Sequence, residues 1–139
     1  MKATYHGYEE KAKASFSAQS LMTGFGAVLE EVTPGRCVIS APVGPGVRQQ
    51  HGHAHAGLTF ALGDSAAGYA ALSLMPEEAE VLTVEMKINL LAPTSGERLV
   101  AVGEAVRAGR RLSVVRAEVK AQDRAVAVLQ GTMIPALGR

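Results

Sequence analysis

Residues 55–74, HAGLTFALGDSAAGYAALSL, form the most apolar stretch of the chain, and their reading decides the architecture. At about 100° per residue, Leu58, Leu62, Tyr69 and Leu72 gather within a stripe about 80° wide, which predicts one helix buried along that stripe. The helix ends before Pro76, because the residue ahead of a proline is steered away from helical conformation. Downstream, residues 81–91 (VLTVEMKINLL) alternate Leu82, Val84, Met86, Ile88 and Leu90 with Thr83, Glu85, Lys87 and Asn89, the period of two of a half-buried strand. Residues 99–106, 112–119 and 125–134 read as further strands, separated by Gly96-Glu97, by Gly109-Arg110-Arg111 and by Asp123-Arg124. Upstream, residues 27–32 and 36–43 read as a hairpin about Thr33-Pro34-Gly35, and residues 44–52 as a loop too rich in Gly and Pro for a regular element. Residues 8–19 mix helix formers with alternating charge, as in a short, partly exposed helix that braces the body. The order predicts an α+β fold in which an antiparallel sheet wraps around one long central helix.

The whole chain, 139 residues, suits a single domain spanning 1–139. With 14 basic and 13 acidic side chains the formal charge is +1, so the basic excess that drives nucleic-acid binding is missing. Hydrophobic residues make up 47% and charged ones 19%, enough to build a core. Trp is absent and aromatics are scarce, so that core must be made of Ala, Val and Leu. The single cysteine, Cys37, excludes an intrachain disulfide, and its place in the alternating run RCVISA marks it as a core residue. The start MKATYHGYEEK is not of signal-peptide type, and no apolar run reaches the roughly 18 residues of a membrane span. A soluble, cytoplasmic protein is expected.

Chemistry concentrates where the loop enters the long helix, at Gln49-Gln50-His51-Gly52-His53-Ala54-His55-Ala56-Gly57. A helix start carries free N–H groups and the positive end of the dipole, so it suits a carbonyl oxygen that becomes negative. The small Ala56 and Gly57 let a ligand approach that backbone. Asp64 is the only carboxylate of the helix, about 120° from the apolar stripe, with Gly57, Ala61, Gly68 and Ala71 around it. Eight residues separate Ala56 from Asp64, about 12 Å along one helix, so one carbonyl cannot meet both. If both serve one acyl transfer, Asp64 must come from a second copy, which predicts a homodimer with two equivalent shared sites.

The stretch QQHGHAHAGLTFALGDSAAGYAA resembles the signature of hotdog-fold acyl-CoA thioesterases of the PaaI-like, phenylacetyl-CoA branch, in which an amide residue precedes G-x-x-H-G-G and a helix carrying L-x-D-x-A. The resemblance implies a hydrolase that cleaves acyl-CoA thioesters without a cofactor, as a tetramer of paired dimers. It assigns Asp64 to the catalytic carboxylate, His55 to the motif histidine, and Ala56 and Gly57 to the pair whose backbone supplies the oxyanion donor. Gln49 takes the place of the upstream amide that positions water or thioester, with Gln50 beside it, and Thr83 that of an assisting strand hydroxyl. Asp64 then acts as general base on water or as nucleophile. Coenzyme A carries phosphates, for which Arg110 and Arg111, with Arg107 and Arg116 nearby, are the candidates; Phe60 and Leu91 are candidates for the acyl wall.

Three other readings compete. His51, His53 and His55 alternate and could ligate a metal. A hotdog hydratase would use His and carboxylate on enoyl-CoA, and a hotdog domain could also bind acyl-CoA without cleaving it. The string LGDSAAG would make Ser65 a nucleophile only with a downstream His, and no His follows His55.

Overall fold

The computed structural model describes residues 1–94 and 96–138. Two helices, α1 (Tyr8–Ala18) and α2 (Ser20–Phe25), precede the hairpin β1 (Val28–Thr33) and β2 (Arg36–Pro42). The long α3 (Ala56–Leu72) follows, and then β3 (Glu80–Leu90), β4 (Arg98–Ala108), β5 (Ser113–Ala121) and β6 (Arg124–Ala136). The six strands form one antiparallel sheet in the order β1-β2-β4-β5-β6-β3, and α3 touches all six. This is the helix wrapped by a sheet, the hotdog fold, that the element order predicts. No helix among the described residues is long and apolar enough to cross a membrane.

Three expectations need correction. The loop over residues 44–52 contains one 3-10 turn, Pro45–Val47, and an isolated bridge from Arg48 to Ala54. The six-residue α2 has no counterpart in the sequence reading, because SLMTGF is too short to show a helical period; it ends at Gly26, whose φ of +67° closes the helix in the left-handed region. Finally, α3 is not buried along one stripe: every residue from Ala66 to Leu72 is buried. Small side chains allow this by letting the helix backbone lie on the sheet. At Gly103 on β4 even a Cβ would overlap the backbone of Ala66 and Ala67.

The remaining core consists of small and branched residues, among them Ile39, Leu62, Leu72, Leu99, Val115, Val119 and Met133. Cys37 lies fully buried in it, and burial pushes its thiol up to about 12. The first helix is a brace: Phe16 meets Tyr69 edge-on, and the Tyr69 hydroxyl bonds Ser15 Oγ at 3.0 Å and accepts from Gln19 Nε2 at 2.6 Å. Lys11 donates to the carbonyls of Glu77 and Ala79, holding the turn that follows α3.

The third strand departs from its own pattern. Its ladder with β6 pairs Thr83 with Met133 and then Glu85 with Thr132, so Val84 is an extra, bulged residue. Before the bulge odd residues face the helix, as the bonds of Thr83 show below; after it Met86 and Ile88 pack on the core. The alternation of residues 82–90 is therefore broken once, and Leu82 and Val84 stay 40% and 57% exposed.

Candidate active site

The carboxylate predicted from the sequence is met by a strand. Thr83 Oγ1 donates to Asp64 Oδ1 at 2.8 Å and also lies 3.2 Å from Met133 Sδ, so β3, β6 and α3 meet at this point. Burial raises the proton affinity of Asp64 above the ordinary carboxylate range, and the Thr83 hydrogen bond opposes that shift. A carboxylate partly withdrawn from water and held by one hydroxyl is a stronger base than a solvated one, and a second oxygen stays available.

At the start of the helix, His55 caps α3. Its Nδ1 accepts from the Gly57 N–H at 2.7 Å. A Cβ on Gly57 would stand 2.9 Å from the same Nδ1, so a larger residue there would crowd the ring in this orientation. The N–H groups of Leu58 and Thr59 bond the His55 carbonyl. Of the two backbone donors expected from the sequence, Gly57 is thus occupied by His55, and the Ala56 N–H is left at the helix start.

Gln49 is used by its own loop. Its Oε1 accepts from the N–H groups of His51 and His53 at 2.6 and 3.2 Å, and Gly52, with φ of +87°, completes the turn. Only its Nε2 is left to face a ligand. His53 Nδ1 lies 3.2 Å from the Thr94 carbonyl, and among the described residues no three His, Cys, Asp or Glu converge as a metal site. The reading of His51, His53 and His55 as a ligand set is corrected accordingly: the loop spends two of the rings on backbone contacts.

A groove of about 500 Å³ opens at the helix start, lined by Gln49, Gln50, Ala56, Thr59, Leu90 and Leu91 among others. Phe60 is not on its wall; it is half-buried against the core one helical turn before Asp64. Arg110 and Arg111 are exposed in the β4–β5 turn. Ser113 pairs with Met133 and Met133 with Thr83, so this turn lies just beyond the row that holds Asp64. Arg116 is different: it points to the outer sheet face and bonds Glu104 at 3.3 Å. A larger hollow of about 850 Å³ lies on that outer face; of the predicted site residues only Arg116 lines it. Sequence reasoning missed the bulge and Gly131 opposite Met86; an isolated glycine inside a strand pattern was the available signal.

Known proteins share this fold. The pattern of the Thioesterase superfamily matches residues 51–128, from the loop through α3 into the sheet. A thioesterase family protein from Silicibacter pomeroyi is similar at 43% identity and a TM-score of 0.93, over 95% of this chain and 100% of that one. A mutant of the phenylacetic acid degradation protein PaaI from Thermus thermophilus is similar at 26% identity and a TM-score of 0.78, over 85% of this chain and 100% of that one. A relative from Deinococcus radiodurans, named as a candidate esterase, is 33% identical over 103 residues, 74% of this chain and 68% of that protein. This chain belongs to the thioesterase superfamily, as a hotdog-fold, PaaI-like member.

Proposed function

We propose that the protein hydrolyses acyl-CoA thioesters at sites shared between two copies of the chain. The observation that carries the reading is the placement of two complementary groups at opposite ends of one exposed edge strand. Asp64 is bonded to Thr83 near the start of β3, whereas the groove at the Ala56 N–H is lined by Leu90 and Leu91 at its end. A two-fold axis that sets β3 antiparallel against the β3 of a second copy brings the start of one strand beside the end of the other. Asp64 of one copy then stands near Ala56 of its mate. The exposed Leu82, Val84 and Leu90 suit such a contact, whereas β1, the other edge, presents Glu30 and Glu31 and a bulge that discourage pairing.

The reaction follows from these groups. The thioester carbonyl accepts from the Ala56 N–H, where the helix dipole stabilises the developing oxyanion. Asp64 takes a proton from water as that water attacks the carbonyl; the tetrahedral adduct collapses, and coenzyme A leaves as the thiol with that proton. In the nucleophilic variant Asp64 itself attacks and the C–S bond breaks, expelling coenzyme A as the thiolate, which takes a proton from solvent; water then cleaves the anhydride, which restores Asp64 and releases the acid. After one turnover in labelled water, oxygen-18 in Asp64 marks the second route, with water cleaving the anhydride at the Asp64 carbonyl. Gln49 Nε2 or Gln50 orients the water, Leu91 contributes to the acyl wall, and Arg110 and Arg111 hold the phosphates of coenzyme A. The arginines lie two to three residues past the Ser113 row and two strands from Thr83, about 10 Å in each direction, within reach of an extended pantetheine arm. Two such dimers make the tetramer that the family resemblance implies.

The test is free-thiol release from a panel of aryl-acetyl, short and medium acyl-CoAs. Asp64→Asn should abolish release while the dimer persists in sedimentation. Release at the wild-type rate removes Asp64 from the reaction, and tight binding of acyl-CoA without release by the wild type identifies a binding module.

A further inference from the structure

The apolar alternation of residues 82–90 and the observed strand disagree, and the disagreement lies beside the carboxylate. A regular β3 in phase with Met86 and Ile88 would turn Leu82 and Val84 toward the helix and Thr83 away from it. The observed strand does the reverse: Val84 is bulged, Thr83 faces Asp64, and Leu82 and Val84 are left exposed. Within one copy of the chain hydrophobic burial favours the first phase; the second leaves Leu82 and Val84 for the contact with a second copy, and it needs a place on β6 that admits the bulge.

Gly131 supplies that place. It pairs with Met86, two residues past the bulge, and a Cβ there would overlap the Glu85 carbonyl oxygen and stand 2.9 Å from Met86 Sδ and 3.1 Å from Met86 Cα. Two strands in a regular ladder tolerate a Cβ at every paired position. The overlap therefore arises because the backbone of Glu85 and Met86 tucks down onto β6 as the chain leaves the bulge. Such tucking is open only above a residue without a side chain.

We propose that the Val84 bulge and the bare Cα of Gly131 beneath it form a positioning device for Asp64, selecting the phase of β3 in which Thr83 faces the carboxylate. The inference rests on the reading of Asp64 as the reacting group. Gly131 touches neither substrate nor carboxylate; it acts through Thr83. The β4–β5 turn brings the exposed Arg110 and Arg111 just beyond the row that holds Asp64. Asp64 is the only carboxylate of α3, Glu85 bonds Thr132, Glu80 pairs with Lys11, and Lys87 is exposed. The parts of β4, β5 and β6 packed around α3 present Leu99, Ala101, Val115, Ala117, Leu129 and Met133.

The experiment compares the full-length wild type with Gly131→Ala, with Thr83→Val, and with Gly131→Ala lacking Val84. Without Val84 the strand is regular with Thr83 still inward, so the double variant should tolerate the alanine. The Asp64 carboxyl carbon is titrated by NMR, and acyl-CoA hydrolysis is followed against pH. In Gly131→Ala and Thr83→Val alike, Asp64 should titrate at higher pH than in the wild type. In both, kcat at neutral pH should fall about tenfold with KM within about twofold. The double variant should restore both readouts. A folded Gly131→Ala protein whose Asp64 titrates as in the wild type overturns the proposal, and so does a double variant that is unfolded or still displaced. If Gly131→Ala does not fold, the double variant decides by the same criterion. The NMR titration separates the two inferences: a wild type that hydrolyses no thioester ends the catalytic reading, while the Asp64 titration still reports whether Gly131 positions Thr83.

Discussion

Replacing Gly103 by alanine tests the contact on which the architecture rests. The added Cβ would lie closer to the Ala66 carbonyl and the Ala67 nitrogen than unbonded atoms come, whereas ordinary contact needs about 3.5–4 Å. All the opposing atoms are backbone, so no side chain can rotate aside, and α3 must move off β4 by about 1 Å. Overpacking of this kind costs about 1–3 kcal/mol, and the rigid surroundings place the site near the upper end. At about 2.1 cal/mol/K per residue, 139 residues give an unfolding entropy near 0.3 kcal/mol/K, so the midpoint should fall by about 3–10 °C. Circular dichroism melts at fixed protomer concentration measure it, with Gly24→Ala as the control. Gly24 lies in α2 with nothing within 4 Å of an added Cβ, and its variant should melt at or slightly above the wild type. Because Ala66 is two residues from Asp64, the same shift should strain the 2.8 Å bond from Thr83 and slow hydrolysis. A Gly103→Ala protein that melts within a degree of the wild type would refute the close seating of the helix on β4.

Other consequences can be measured directly. Since burial raises the folded-state proton affinity of Asp64, its protonated form contributes stability that is present below the ordinary carboxylate range and is lost as pH rises through the folded value; Asp64→Asn should therefore melt at or above the wild type at neutral pH, the difference closing as pH falls. Hydrolysis should show the opposite dependence, lost as pH falls through that same value, in a pH profile of kcat/KM. Tyr69→Phe removes the hydroxyl that Ser15 and Gln19 bond, and should cost about 1–2 kcal/mol in urea unfolding. Cys37, fully buried with its thiol pushed up to about 12, should stay unlabelled by a thiol reagent in the native protein and react fully once the protein is unfolded.

Much of this was legible in the chain itself, and the reason is periodicity. Alternation in residues such as Val115, Ala117 and Val119 is a local property, and so is the apolar run that becomes α3; both survive without knowledge of neighbours. Asp64 stood out because a carboxylate in an apolar helix needs a reason, and Ala56 and Gly57 because a helix start has free donors. Which of the two donors is open was beyond the sequence, since it depends on where the His55 ring turns. The same holds for Gln49, whose amide oxygen is taken by backbone groups two and four residues along.

The sequence by itself determined the order of the six strands and the long helix, the enclosure of that helix by a sheet, and the separation of Ala56 from Asp64, because these follow from spacing along the chain. Only the tertiary structure decided the phase of β3. Its hydrophobic pattern points Leu82 and Val84 inward, yet Gly131, far away in the chain, admits a bulge that turns Thr83 to Asp64 instead. A side-chain period records which residues favour burial, and a single backbone contact from another strand can reverse which of them obtain it.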